Sequence, residues 1–246
     1  MRARLFGAAA PRAIVPDSYG VSLTERLAVF TISLRKRLIA AACSAAAVAT
    51  VGGTVLAAPA GAATCTDIHV VFARGSGELP GLGIVGSPFV DAVRANSAGR
   101  SVSSYAVNYA AALDQSSAGA GATDMTNHVV QYAGDCPAAR IVVGGYSQGA
   151  SATDIALGIP TVLGSGRVIP ASLAPRISAV VVFGNPLRLQ GQSINSASRT
   201  YGGRALDDCN AGDPICGGGI NILAHLTYGI DGSATAGGAF AAQRSR

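Results

Sequence analysis

The chain has 246 residues, of which 49% are hydrophobic and 13% charged, with 18 Lys and Arg against 13 Asp and Glu and a formal net charge of +5. A length of this order admits one domain or two small ones. Seven of the 18 basic and two of the 13 acidic residues fall in residues 1–63, leaving eleven arginines against eleven acids, so the remainder is formally neutral and offers no basic patch to nucleic acid.

Residues 1–34 show no clear strand or helix period. Arg35-Lys36-Arg37 then precede an uncharged run rich in Ala, Val, Leu and Gly, from Leu38 to Ala63, that ends in Pro59-Ala60-Gly61-Ala62-Ala63. A basic start, an apolar run and a small-residue exit form a secretory signal pattern. An uncharged run of this length also fits a membrane anchor, but its Ala and Gly content and its small-residue end favour cleavage. Residues 1–63 are therefore expected to be an N-terminal leader and signal peptide, and residues 64–246 the folded domain.

Of the five cysteines, Cys43 lies inside the signal run, and Ala40-Ala41-Ala42 before it lacks the Leu of a lipid-modified cysteine. Cys65, Cys136, Cys209 and Cys216 remain, and four cysteines in an exported chain read as two disulfides. Cys209 and Cys216 are only seven positions apart, which favours Cys209-Cys216 and leaves Cys65-Cys136. Zinc is the competing use of four cysteines, but there is no CxxC pair, so no metal site is expected.

Ile68-His69-Val70-Val71-Phe72-Ala73 is a β-branched run stopped by Arg74-Gly75-Ser76-Gly77, which suits a buried strand entering a turn. Similar runs recur at Val102 to Val107, Ile141 to Gly145 and Ile177 to Gly184, with helical segments around Pro88 to Ala95 and Asp124 to Ala133. Alternation of near-continuously apolar strands with helices predicts one three-layer α/β domain around a parallel sheet. Gly81 to Gly86, Ser116 to Gly121 and Ala234 to Gly238 are small-residue stretches that read as mobile surface loops.

Ile141-Val142-Val143-Gly144-Gly145-Tyr146-Ser147-Gln148-Gly149-Ala150 is a strand, then G-x-S-x-G, then a segment able to start a helix. That is the context of a nucleophile elbow, in which glycines leave room for a serine on a strained turn. A serine hydroxyl needs a base to take its proton, and only His69, His128 and His225 are available. His69 in an apolar strand and His128 in a helix read as structural histidines, whereas His225 follows the serine in the order Ser, acid, His that this arrangement uses.

The acids after Ser147 and before His225 are Asp154, Asp207, Asp208 and Asp213. Asp154 reads as helix surface, and Asp207 and Asp208 as solvated strand-end charges. Asp213 lies in Cys209-Asn210-Ala211-Gly212-Asp213-Pro214-Ile215-Cys216, a loop that a disulfide and a proline would stiffen, as an orienting carboxylate requires. The oxyanion of an acyl-transfer intermediate needs aimed donors, and the N–H of Gln148 with Ser76 in the turn after the first strand are the candidates.

Together Ala73-Arg74-Gly75-Ser76, Gly145-Tyr146-Ser147-Gln148-Gly149, Gly212-Asp213-Pro214-Ile215-Cys216 and His225 resemble the secreted cutinases and cutinase-like esterases, from about Cys65 to Tyr228. The resemblance implies an α/β-hydrolase with a central five-stranded parallel sheet, no large lid and an exposed serine. It carries the triad onto Ser147, Asp213 and His225, and the oxyanion donors onto Ser76 and Gln148. Gly77 departs from the threonine often found after that serine, and Ser193 to Leu206 is a polar, Gly-containing approach to the first cysteine of the acid loop.

The function expected from residues and resemblance is a secreted serine esterase that hydrolyses carboxylic esters of short to medium acyl chains through an acyl-enzyme, with no cofactor. Its partners would be a polyester or lipid ester substrate and, transiently, a lipid or cell-envelope surface, the chain acting as a monomer. Acetylxylan esterase and phospholipase or lipase activity share the fold and leave acyl specificity open. A catalytically silent cell-envelope binding protein is the alternative of another class.

Overall fold

The computed structural model describes residues 64–246; the leader and signal expected over residues 1–63 lie outside the described residues. The chain runs β1 (Ile68–Ala73), α1 (Gly83–Asn96), β2 (Val102–Ala106), α2 (Ala118–Asp135), β3 (Arg140–Tyr146), α3 (Gln148–Ala156), β4 (Ile177–Phe183), α4 (Ile194–Ala197), β5 (Ala205–Asp208), α5 (Ile222–Leu226) and α6 (Ser233–Arg244). The strands form one parallel sheet in the order β2-β1-β3-β4-β5.

The three central strands are apolar on both faces because both are covered. On β1, Val71 and Ala73 join Met125 and Val129 of α2 and Ala150 and Ile155 of α3 on one side. Ile68, Val70 and Phe72 join Val85, Phe89 and Val93 of α1 and Ala234 and Ala241 of α6 on the other. Each face thus closes a separate core, and burial of these side chains at ~25 cal/mol per Å2 is the main stabilising term. No helix among the described residues is long and apolar enough to cross a membrane.

Two of the stretches that read as loops are helical in part, and a third is wholly helical. α1 begins at Gly83, α2 at Ala118, and Ala234 to Gly238 lies inside α6. Their small residues allow close approach rather than mobility. A Cβ at Gly238 would stand 2.4 Å from the Cβ of Ala92 on α1, one at Gly237 2.8 Å from the Phe183 ring, and one at Gly86 2.5 Å from the Phe72 ring.

Both expected disulfides are present. Cys65–Cys136 (Cα–Cα 5.4 Å) ties the chain before β1 to the end of α2, and Cys209–Cys216 (5.9 Å) closes the loop after β5. β1 is flanked by β2 on one side and β3 on the other, so the strand order reverses between β1 and β3. The crevice beyond the carboxyl ends of such strands is where open α/β sheets bind ligands. Ala73 and Gly145 are paired at that end, immediately before the two motifs singled out above.

Candidate active site

Ser147 stands between β3 and α3 with φ 56° and ψ −118°, a conformation that costs free energy in any residue with a Cβ. The surroundings hold it there. Its N–H donates to the Phe183 carbonyl at 2.9 Å, and its own carbonyl accepts from Ala150 N–H at 2.9 Å. The flanking glycines are obligatory: a Cβ at Gly145 would lie 2.1 Å from the Gly149 carbonyl oxygen, and one at Gly149 2.0 Å from that of Ala73.

His225, on α5, brings Nε2 to 2.9 Å from Ser147 Oγ and Nδ1 to 2.8 Å from Asp213 Oδ2. An ionised carboxylate only accepts, so Nδ1 carries the proton and Nε2 offers its lone pair to the serine hydroxyl. Asp213 is completely buried and is satisfied twice more, Oδ2 accepting from the Tyr228 hydroxyl at 2.7 Å and Oδ1 from Ile215 N–H at 2.7 Å. Burial, together with the hydrogen bond to Asp213, pushes the Tyr228 phenol far above its ordinary value, so it remains a donor. The Tyr146 hydroxyl donates to the His225 carbonyl at 2.8 Å, and Gly184 leaves room for the ring, since a Cβ there would come within 2.7 Å of Cε1.

Ser147 is only 8% exposed and His225 6%, a narrower opening than the resemblance implied. The elbow packs its backbone against the end of β1, and the imidazole covers one side of the hydroxyl.

Ser76 lies in a tightly held turn after β1. Buried Arg74 donates from Nε to the Glu78 carbonyl at 2.8 Å and from an Nη to that of Tyr109 at 2.7 Å. The Glu78 carboxylate in turn accepts from the N–H groups of Gly75 and Ile84. Ser76 Oγ is buried and has no hydrogen-bond partner among the described residues. Gln148 is fully buried, its amide donating to the Ala112 carbonyl at 3.1 Å and accepting from Ser117 Oγ at 3.3 Å. Gly77 N–H donates to the Ala111 carbonyl at 2.7 Å, so one loop after β2 braces both candidate donors. Gly77 itself has φ 74°, a backbone conformation that disfavours any residue with a Cβ, which accounts for the departure from threonine.

Two expectations are corrected. Asp154 is fully buried rather than on the helix surface, and the Asp207 side chain is 0% exposed rather than solvated. Both approach the Asn185 amide nitrogen, Asp154 Oδ1 at 3.3 Å and Asp207 Oδ2 at 3.2 Å. Asp208 is partly buried. His69 and His128 are structural, as expected: their Nε2 atoms face each other at 2.8 Å, with His69 Nδ1 2.7 Å from Ser103 Oγ. The supporting roles of Arg74, Glu78, Tyr146 and Tyr228 carried no signal in the sequence beyond their nearness to the motifs.

The cutinase family model matches residues 64–245. The chain belongs to the cutinase family. Over 183 residues it is 54% identical to a cutinase of Kineococcus radiotolerans, an alignment covering 74% of this chain and 62% of that protein. It is 40% identical over 210 residues to phospholipase Culp4 of Mycobacterium tuberculosis, covering 85% of this chain and 92% of that one. Among solved structures, a Trichoderma reesei cutinase in complex with a C11Y4 phosphonate inhibitor is 30% identical with a TM-score of 0.58, covering 74% and 78% of the two chains. The parallel sheet and the strand–elbow–helix around Ser147 are those of an α/β-hydrolase.

Proposed function

We propose that this cutinase-family protein is a secreted carboxylic ester hydrolase working through an acyl-enzyme on Ser147. The observation that carries the reading is the continuous chain from Ser147 Oγ to His225 Nε2 at 2.9 Å and from His225 Nδ1 to Asp213 Oδ2 at 2.8 Å. Three buried groups otherwise costly to hold together are arranged so that the hydroxyl can lose its proton as it attacks.

In this mechanism Ser147 Oγ adds to the ester carbonyl while His225 Nε2 takes its proton. Ser76 and Gln148 N–H stabilise the oxyanion. Collapse of the tetrahedral intermediate expels the alcohol, which leaves with the proton returned by His225. Water, deprotonated by the same imidazole, then adds to the acyl-enzyme, and the acid departs as Ser147 recovers its hydrogen. Asp213 holds the tautomer and stabilises the imidazolium throughout.

The substrate side is supported by an open groove of about 530 Å3 lined by Leu79, Pro80, Leu82 and Ile84, which begins just past the Ser76 turn and suits a short to medium acyl chain. Exposed Leu223, Leu226 and Ile230 around His225 favour transient contact with a lipid or polyester surface. Two disulfides and the pattern of residues 1–63 support export and removal of a signal peptide.

Hydrolysis of p-nitrophenyl butyrate by the purified protein and by Ser147→Ala tests the reading. Turnover by the wild type that disappears in the variant is expected; equal rates would overturn the mechanism. Turnover of no ester, whatever its chain length, would instead favour a silent binding protein that keeps the fold.

A further inference from the structure

The catalytic side chains come from three separate elements, and the mechanism above does not explain what fixes the distances between those elements. Phe183, Gly184 and Asn185, at and just after the end of β4, touch the nucleophile elbow, the His225 ring and the strand that leads to the Asp213 loop. The Phe183 carbonyl accepts from Ser147 N–H at 2.9 Å. Gly184 underlies the His225 ring and donates its N–H to the Asp208 carbonyl, beside the acid loop, at 2.9 Å. Asn185, fully buried, extends the contact downward. Its amide nitrogen forks between Asp154 on α3, two helical turns below Ser147, and Asp207 on β5, six residues before Asp213. Its amide oxygen accepts from Leu187 N–H at 3.0 Å, so the orientation of the fork is fixed.

We propose that Asn185 is a positioning residue for the triad, its forked amide setting the separation between the nucleophile helix, the ledge under His225 and the strand that leads to Asp213. The inference rests on the ester hydrolase reading for its kinetic consequence, but not for its geometric one.

The chemistry of the fork explains why both carboxyls are buried. Asp207 keeps a claim to charge: Oδ2 also accepts from Ile194 N–H at 2.9 Å, and Arg188 approaches Oδ1 at 3.8 Å. Among the described residues Asp154 has no cation against it and its Oδ2 has no partner. Burial, reinforced by the nearby Asp207, pushes the Asp154 carboxyl well above the carboxylate range; burial also raises Asp207, which Asp208 reinforces against the opposing effects of Ile194, Arg188 and Asn185. Burial therefore favours the uncharged form of Asp154, whose Oδ1 accepts one hydrogen bond from the Asn185 amide. An asparagine at 154 has the same shape and the same accepting oxygen, whereas alanine removes the acceptor.

The test compares Asn185→Ala, Asp154→Ala and Asp154→Asn with the wild type, on the full chain, for kcat and KM with p-nitrophenyl butyrate well below each melting temperature. A misplacement of the order of 1 Å costs about 10²-fold, so Asn185→Ala and Asp154→Ala should lose kcat on that scale, while Asp154→Asn recovers to within about threefold. KM should stay within about twofold in all three, because groove contacts are untouched. The proton NMR resonance of the His225 Nδ1–H reports the geometry whether or not any ester is turned over: it should move or broaden in the two alanine variants and return in Asp154→Asn. A wild-type resonance in Asn185→Ala, or an Asp154→Asn variant as perturbed as Asp154→Ala, would overturn the proposal. A wild type that hydrolyses no ester would overturn the hydrolase reading alone.

Discussion

Replacing Asp213 by Asn removes one negative charge and one accepting oxygen from a group that is 0% exposed and changes almost nothing in shape. Asp213 accepts three hydrogen bonds, from His225 Nδ1, the Tyr228 hydroxyl and Ile215 N–H. An amide has one accepting oxygen, and whichever position it takes, its NH2 faces a donor or the imidazole. Facing the imidazole, it presents a hydrogen to Nδ1, so the ring proton moves to Nε2. That proton then points at Ser147 Oγ, 2.9 Å away, and the base is lost. Loss of the correct tautomer is worth roughly 10⁴-fold in kcat for this type of triad. Loss of charge-assisted hydrogen bonds should also lower stability by about 2 kcal/mol. Steady-state kinetics with a p-nitrophenyl ester and urea unfolding measure both. A variant within about tenfold of wild-type kcat would refute the tautomer argument and the assignment of Asp213.

Other residues give equally definite expectations. Gly149→Ala puts a methyl 2.0 Å from the Ala73 carbonyl oxygen; the elbow must shift, so kcat should fall by about 10²-fold or more with a lower melting temperature, and wild-type kcat would contradict the strained-turn account. Tyr228→Phe removes one of the hydrogen bonds to Asp213 Oδ2, a loss of about 1–2 kcal/mol that should appear as a tenfold-scale fall in kcat/KM with the triad still functional. The third concerns pH. Burial, with His128 beside it, pushes His69 down to about 4, below the ~6.5 of an unfolded chain. Its contribution is therefore fully present above about pH 6.5 and lost as pH falls toward 4, about 2 kcal/mol by pH 4.5. The groups facing the pair are Ser103, Tyr105, Tyr132 and, beside His128, Asp124. Unfolding free energies of wild type and His69→Gln across that range should converge on acidification, and a constant difference would contradict the sign.

The parts of the molecule legible in the sequence were those where local chemistry is self-contained. The strands around Val71 and Val143 read correctly because a run of β-branched residues needs burial on both faces. Ser147 was visible because a strained turn demands glycine at two fixed offsets, and the Cβ clashes at Gly145 and Gly149 are the physical content of that pattern. Gly237 and Gly238 misled because a small residue reads the same in a loop and in a tight contact between a helix and the sheet or another helix; only the partners, Phe183 on β4 and Ala92 on α1, tell them apart. Asp154 and Asp207 misled for a related reason. A lone charge is ordinarily solvated, and the amide that accommodates both acids lies 31 residues from one and 22 from the other. Arg74 was likewise silent, its partners being carbonyls that any sequence supplies.

Acid-quenched mass spectrometry of the protein mixed with p-nitrophenyl butyrate would catch the acyl-enzyme on Ser147 itself. A butyryl adduct is expected on the peptide containing Ser147, formed at the rate of the nitrophenol burst and absent from Ser147→Ala. Turnover without any adduct at Ser147, or an adduct that persists in Ser147→Ala, would contradict the acyl-enzyme mechanism.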